Sequence, residues 1–244
     1  MANQISPRPE QEIRFFPVVD TQQSTVLRYA VVLPAPQSGE EAEASGWARE
    51  LEKVEMTLKL LVELQRTGHI ETIRLSLPLH PAPLQDSAFI AALRRLLEDY
   101  AISTDVLSVD LTEPPTLDLS DLDAYIAPLK ELGISVGLDN YLPDSMSIPA
   151  LVAANVDCLV LHEQVMTHLL NNATIYRFLQ SMTQLCEVLS KTMVVKGVNS
   201  AAQRERLESM GLRYMQGRCF SEPLLATELA SFEAELAKQR KAGS

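Results

Sequence analysis

Strand-like and helix-like segments alternate along most of the 244-residue chain, and this alternation is the strongest constraint on its fold. The first two apolar runs, at 13–20 and 25–33, are joined by a short polar connection, which indicates an antiparallel hairpin. From residue 70 onwards, apolar runs repeatedly precede helical segments, as is typical of a parallel sheet covered by helices. Enough units follow the hairpin to close a barrel. The sequence therefore predicts an α/β fold, a (β/α)8 TIM-like barrel with an antiparallel first strand.

An open doubly wound sheet is the alternative fold. The chain has no glycine-rich phosphate loop after its first strand, which weakens that alternative. Asp86 is predicted to cap a helix at 86–101, and one long helix is predicted to run from the strand at 157–161 to about residue 190. The polar, proline-bearing residues 1–12 predict a disordered tail, which leaves 13–238 as the barrel domain.

The charge and cysteine content exclude several classes of function. A net charge of -11 and a pI near 4.9 argue against binding to nucleic acid or to an anionic membrane. The N-terminus lacks the pattern of a signal peptide, and no apolar run is long enough to span a bilayer. The three cysteines show no metal-binding spacing and read as small hydrophobic residues in a reducing compartment. We expect a cytoplasmic protein without a cofactor.

Several side chains fall at the predicted C-terminal ends of strands, where barrels of this kind carry their chemistry. The segment VGLDNYLP places a carboxylate, Asp139, next to an amide, Asn140. Adjacent carboxylates at a strand end often bind metal, but here the second position is an uncharged asparagine. The residues predicted at strand ends are Ser76, Asp110, Glu113, Asp139, Asn140, Val160, His162, Lys196, Asn199 and Gln216.

Four stretches resemble motifs of the EAL-domain cyclic di-GMP phosphodiesterases. FFPVVD resembles the opening Q-P-I-V-D strand of that family, and LSVDLTEPP resembles E-L-T-E. The run from VGLDN to LVLHEQ resembles the stretch from L-D-D-F-G to K-I-D. VVKGVNS and QGRCFSEPL resemble E-G-V-E-T and Q-G-Y-x-F-x-x-P-L. The resemblance runs in unbroken order from Ile13 to Leu225 and implies a barrel of the EAL type. It also implies, for active members, two divalent cations that activate the attacking water.

The resemblance implies that this chain has lost most of those metal ligands. It places the signature glutamate at Tyr29, the asparagine ligand at Ser76, and the lysine near the attacking water at Val160. Asp139 is kept, whereas the second aspartate of the pair is Asn140. The other positions of this vestigial site are the shortened Asp110 with Glu113, His162, Lys196 and Asn199 in place of acidic residues, and the retained Gln216. We therefore predict no metal and no catalytic residues.

The nucleotide contacts implied by the resemblance are also altered. The glutamine of Q-P is Phe16, and the arginine that follows E-A-L is Leu33, so neither can contact phosphate as in the family. If the ligand still binds, the implied contacts are Phe16, Leu33, Asp139, Gln216 and Arg218.

The simplest interpretation of the strand-end residues is that they stabilise the fold. Asp139 alone is more often a cap than a ligand, and we expect Lys196 to form a salt bridge with Asp139 or Glu113. Inactive members of such families commonly act as regulators, so the resemblance favours a non-catalytic protein that binds an unidentified protein partner. A cyclic di-GMP receptor without turnover is the disfavoured alternative, and a residual phosphodiesterase ranks last. The sequence also leaves open whether the protein forms a homodimer.

Overall fold

A computed structural model describes most of the predicted barrel. It describes residues 13–34, 47–67, 73–112, 119–142, 148–169 and 172–242. The predicted tail at 1–12 and Glu113 lie outside the described residues. The predicted domain boundary at 238 falls inside the last helix, which runs to Ala242.

Eight strands form a closed barrel in chain order. They are β1 (Arg14–Asp20), β2 (Thr25–Val32), β3 (Leu75–Leu79), β4 (Leu107–Leu111), β5 (Ser135–Tyr141), β6 (Cys158–Leu161), β7 (Thr192–Val195) and β8 (Tyr214–Met215). Strand β1 is antiparallel to both of its neighbours, β2 and β8, and every other neighbouring pair is parallel. The predicted TIM-like barrel with an antiparallel first strand is confirmed, and the doubly wound alternative is wrong.

Helices cover the outside of the barrel. They are α1 (Ala48–Thr67), α2 (Ser87–Asp99), α3 (Leu119–Glu131), α4 (Ile148–Ala153), α5 (Gln164–Leu169), α6 (Ala173–Val188), α7 (Ala201–Glu208) and α8 (Leu229–Ala242). The side chain of Asp86 accepts a hydrogen bond from the backbone N–H of Ala88, which confirms the predicted cap of α2. No helix in the described ranges combines the length and the apolar character that a bilayer crossing requires.

The single long helix predicted after β6 is wrong, because the structure has two helices, α5 and α6, in its place. Asn172 separates them with an extended backbone, and its side chain accepts hydrogen bonds from the backbone N–H groups of Thr174 and Ile175. An asparagine that satisfies these free donors favours a new helix start over a continued helix.

The outward face of β2 is attached to α8 by a partly buried hydrogen bond. The hydroxyl of Tyr29 donates to Glu233 of α8 over 3.0 Å, and the Tyr29 ring packs edge-on against Phe15, with 6.3 Å between the ring centroids. Burial raises the pKa of Glu233, although its hydrogen bond with Tyr29 lowers it again in part. This contact fixes which face of β2 points away from the barrel interior.

The seam where β1 meets β8 is closed by the buried side chain of Asp20. Its carboxylate accepts hydrogen bonds from the backbone N–H groups of Gln22 and Gln23, both over 3.1 Å, and from the Nε of Arg213 over 2.8 Å. Burial alone would raise the pKa of Asp20, but Arg213 and the two backbone donors hold this pKa below its ordinary value. The charged form of Asp20 therefore stabilises the fold.

We expect Asp20→Asn to lower the free energy of unfolding at pH 7 by about 1–3 kcal/mol, because a charge-assisted network is lost. The lowered pKa means that the contribution of Asp20 is present above the unfolded-state value of about 3.9 and is lost as the pH falls through the lower folded-state value. Urea denaturation at pH 7 and near pH 3 measures this difference. Asp123→Asn, on the exposed surface of α3, is the matched control. A difference between the wild type and Asp20→Asn that stays the same at both pH values would contradict the prediction.

Candidate functional site

The C-terminal ends of the strands enclose a cavity of about 490 Å³. Most of the predicted strand-end residues lie in its wall. Those that the structure brings together there are Ser76, Asp110, Asp139, Val160, Lys196, Asn199 and Gln216, and the implied nucleotide contacts Phe16 and Arg218 lie in the same wall. The cavity wall also contains residues that the sequence analysis did not single out, among them Arg28, Ala30, Val32, Glu163 and Val194.

Tyr29, where the resemblance places the signature glutamate, does not line the cavity that the described residues form. Side chains alternate between the two faces of a strand, and in β2 Arg28 and Ala30 line the cavity whereas Tyr29 between them does not. At the end of the strand both Val31 and Val32 line it. Tyr29 points to the opposite face, where it contacts α8, and its neighbour Ala30 faces the cavity. Leu33 follows the strand end and packs against the outer hydrophobic core. A slip of one residue changes the face of every side chain in a strand.

Two predicted positions have local structural roles. The Nδ1 of His162 accepts a hydrogen bond from the backbone N–H of Gln164 over 3.1 Å, at the start of α5. Asn140 has a left-handed backbone, with φ of 54°, and its backbone N–H donates to the Oδ1 of Asp139 over 2.8 Å. Neither His162 nor Asn140 belongs to the cavity wall that the described residues form.

Lys196 forms an ion pair with Asp139, as predicted from the sequence, and this prediction is confirmed. The Nζ of Lys196 also donates to the Oδ1 of Asn140 over 3.3 Å. Asp139 is 9% exposed, and the Lys196 side chain is half-buried, so water screens the pair only in part. The ammonium group therefore lies against the carboxylate that the resemblance assigned to metal binding.

A second ion pair, which the sequence analysis missed, lies deeper in the barrel. The Nη2 of Arg28 is 3.0 Å from the Oδ2 of Asp110, and its Nη1 donates to the Oγ of Ser108 over 3.1 Å. Burial alone would lower the pKa of Arg28, but neighbouring Cys158 and Asp110 hold this pKa above its ordinary value. The signal in the sequence was a basic residue inside an apolar strand, two positions before Ala30 and so on the same face.

Gly137 provides the space that the Asp110 carboxylate occupies. A Cβ atom at position 137 would lie 2.2 Å from the Oδ1 of Asp110, a distance at which one of the two residues must move. The absence of a side chain on β5 at this point therefore lets β4 direct a carboxylate into the barrel.

The charged side chains of the cavity wall nearly neutralise one another. Besides the two buried pairs, Arg218 pairs with Glu222 over 3.2 Å at the exposed rim. Among the described residues of the wall, three basic side chains face four acidic ones, because Glu163 adds a carboxylate without a salt bridge. The wall thus carries a net charge of about one negative unit.

The resemblance implies two divalent cations at this place, and the described residues do not fit them. Two adjacent dications need several carboxylates to offset their mutual repulsion. Here Asp110 and Asp139 already bind Arg28 and Lys196. Within the described ranges, no three His, Cys, Asp or Glu residues lie close enough together to hold a metal ion. Glu113 lies outside these ranges.

Comparisons with known proteins give one consistent family. The protein-family model that describes the EAL domain matches residues 7–223 of this chain. The cyclic di-GMP phosphodiesterase PdeF of Escherichia coli (strain K12) is 24% identical over 171 residues, which are 70% of this chain and 23% of PdeF. This chain thus spans about a quarter of the length of that relative.

Solved structures share the fold. The EAL domain of Mycobacterium smegmatis DcpA superposes with a TM-score of 0.75 and 18% identity, over 94% of this chain and 98% of that one. The calcium and cyclic di-GMP complex of Klebsiella pneumoniae BlrP1 superposes with a TM-score of 0.76 and 21% identity, over 93% of this chain and 59% of that one. At these identities the likeness concerns the fold alone.

The ion pair of Lys196 generates a prediction about charge at the cavity. Lys196→Glu places a carboxylate beside Asp139, so we expect it to lower the free energy of unfolding by at least about 1 kcal/mol more than Lys196→Met, which only removes the charge. We also expect manganese to raise the melting temperature of the Lys196→Glu variant, because a cation then relieves the repulsion.

Thermal denaturation with and without manganese measures both effects. Lys196→Met is the control, since it has a side chain of similar length and no charge. A manganese-dependent rise of the same size in the wild-type protein would mean that a metal site exists beside the ion pair.

Proposed function

We propose, from the premise that the chain belongs to the EAL-domain family, that it is a non-catalytic regulatory member that acts by binding a protein partner. The observation that carries this proposal is the pairing of both described strand-end carboxylates with cations of the chain itself. Asp110 binds Arg28, and Asp139 binds Lys196. A divalent metal would have to displace a tethered cation at each position.

The groups around the two ion pairs support the absence of hydrolysis. Val160, where the resemblance places a lysine, can neither donate a hydrogen bond to the attacking water nor accept its proton. Ala30, which faces the cavity beside Tyr29, offers no ligand atom. PdeF is named as a cyclic di-GMP phosphodiesterase, and the proposal is that this chain keeps the fold of such relatives without the reaction.

The charge of the cavity wall disfavours cyclic di-GMP as a ligand. BlrP1 binds cyclic di-GMP in the presence of calcium, which supplies positive charge. In this chain, all three basic side chains of the described wall are paired with carboxylates, so two phosphates would have to replace those partners. That exchange gains little free energy, because each charged contact formed requires another to be broken.

A cyclic di-GMP receptor without turnover is the second candidate function. Lys196, Gln216 and Arg218 lie in the cavity wall and could contact a phosphate or a base if their present partners moved. A residual phosphodiesterase is the weakest candidate, because it requires metal at the two paired carboxylates. Action through a protein partner is what the family resemblance implies for an inactive member.

The first test of the proposal is hydrolysis. Purified protein incubated with cyclic di-GMP and excess magnesium or manganese should give no linear dinucleotide above a blank without protein, because Asp110 and Asp139 are already paired with Arg28 and Lys196. Chromatographic separation of the nucleotides measures the product. Asp139→Ala is the matched variant, and metal-dependent turnover that disappears in Asp139→Ala would refute the proposal.

The second test is titration calorimetry with cyclic di-GMP, with and without calcium or magnesium. We expect no binding in the low-micromolar range. A charge-assisted hydrogen bond contributes about 1.5–3 kcal/mol, so the loss of one such contact weakens binding by about one to two orders of magnitude. GTP is the control ligand and Arg218→Ala the control variant. Low-micromolar binding that is specific for cyclic di-GMP and weaker in Arg218→Ala would favour the receptor function.

A further inference from the structure

The outer face of α6 carries a row of apolar and small side chains, the α6 stripe. Thr174, Phe178, Ser181, Leu185 and Val188 follow one another at alternating intervals of four and three residues, so helical geometry places them on one face. The first four of these residues line a shared groove of about 350 Å³. Val188 continues the row at the end of the helix and is 82% exposed, more than any other large apolar side chain in the described ranges. An exposed row of this kind indicates a docking surface.

Two exposed charges of opposite sign lie beside the α6 stripe. Arg177 lines the groove near the start of the helix, and Glu187 lies in the last turn. Neither side chain forms a salt bridge with another residue that the structure describes. The helix dipole disfavours a negative charge in a last turn, so Glu187 does not serve the stability of α6 itself. Both charges are therefore available to a partner.

We infer that the α6 stripe is the interface of a homodimer, in which α6 of one copy packs antiparallel against α6 of the other. The stripe is nearly symmetrical about Ser181, so a two-fold axis at this residue brings Phe178 of each copy against Leu185 of the other. The same axis brings Thr174 against Val188. A two-fold dimer needs a surface that complements its own inverted copy, and this row meets that requirement. The small side chain of Ser181 lets the two helices approach closely at the axis.

The two free charges favour a second copy over a different partner. Arg177 and Glu187 lie on the same flank of the α6 stripe by helical periodicity, and their midpoint is next to Ser181. The two-fold axis that aligns the apolar side chains therefore also sets Arg177 of each copy beside Glu187 of the other. Each unpaired charge gains a counter-charge, and the arginine offsets the cost of a carboxylate at the helix end. Apolar and charged contacts thus agree on one register.

The size and charge of the contact set its strength. One pair of helices is a small interface, and two chains that each carry a net charge of -11 repel one another. We therefore expect a reversible equilibrium between monomer and dimer with a Kd in the micromolar range. The inference goes beyond the proposed function, because dimerisation requires neither cyclic di-GMP nor a different protein.

Analytical ultracentrifugation of the purified protein across the micromolar range tests the inference. Val188→Glu should raise the Kd of the dimer at least about tenfold, because it introduces a charge into the apolar row. The high exposure of Val188 means that this variant keeps its fold, which circular dichroism checks. Val62→Glu is the matched control and should leave the Kd unchanged, since Val62 is 36% exposed and lies on α1.

A charge exchange tests the antiparallel register. Arg177→Glu should weaken the dimer, because it places two carboxylates side by side across the axis. The double variant that combines Arg177→Glu with Glu187→Arg should restore the wild-type Kd. A role of either side chain within a single chain does not predict this recovery.

Three outcomes would overturn the inference. A monomer at every concentration would exclude the dimer. A dimer that Val188→Glu weakens no more than Val62→Glu does would place the interface elsewhere. A weakening by Arg177→Glu that the double variant does not reverse would contradict the antiparallel register. None of these outcomes depends on hydrolysis or on cyclic di-GMP binding, so the inference can fail while the proposed function stands.

Discussion

The side chains of Arg28 and Asp110 are almost wholly buried in the barrel, and a charge so far removed from water must find its counter-charge on another strand. Arg28 enters from β2 and meets Asp110 from β4, and Gly137 on β5 leaves the space that the carboxylate needs. Removal of one partner from such a buried pair costs about 3–5 kcal/mol, because the other charge stays behind without compensation. This pair therefore fixes the face of β2 and, with it, which side chains reach the cavity.

The same requirement connects the fold with the proposed loss of catalysis. Carboxylates gathered at strand ends repel one another unless cations lie between them, and a metal-dependent site meets this need with metal ions. In this chain the cations are side chains, Arg28 on Asp110 and Lys196 on Asp139. Side-chain cations are covalently tethered and act at any metal concentration. The chain can thus keep two acidic residues of the family pattern for stability after their proposed catalytic role has gone.

The sequence predicted the barrel well, because its pattern of apolar runs and helical segments repeats along the chain and each unit supports the same architecture. It also predicted the cap at Asp86 and the pair of Lys196 with Asp139, both of which depend on residue type and strand-end position. The motif assigned to Tyr29 did not indicate which face of β2 each side chain occupies, and the structure turns Tyr29 away from the cavity. Strand alternation puts Arg28 and Ala30 on the same face, opposite Tyr29. The break at Asn172 was missed because the sequence was interpreted as one continuous helix there. In the structure, capping by this single residue is enough to start a new helix.

The face of β2 that turns inward also affects what the cavity can hold. A tyrosine facing inward at position 29 would fill much of the space that the resemblance assigns to substrate and metal. The structure instead puts Tyr29 under α8 and places the methyl group of Ala30 in the cavity wall. A small side chain at this position leaves a cavity of about 490 Å³ open at the barrel mouth. The charged side chains of its wall are nearly balanced and mostly paired with one another, so the cavity offers little free positive charge to an anionic dinucleotide. The small side chain of Ala30 therefore keeps the cavity open without making it a site for phosphate.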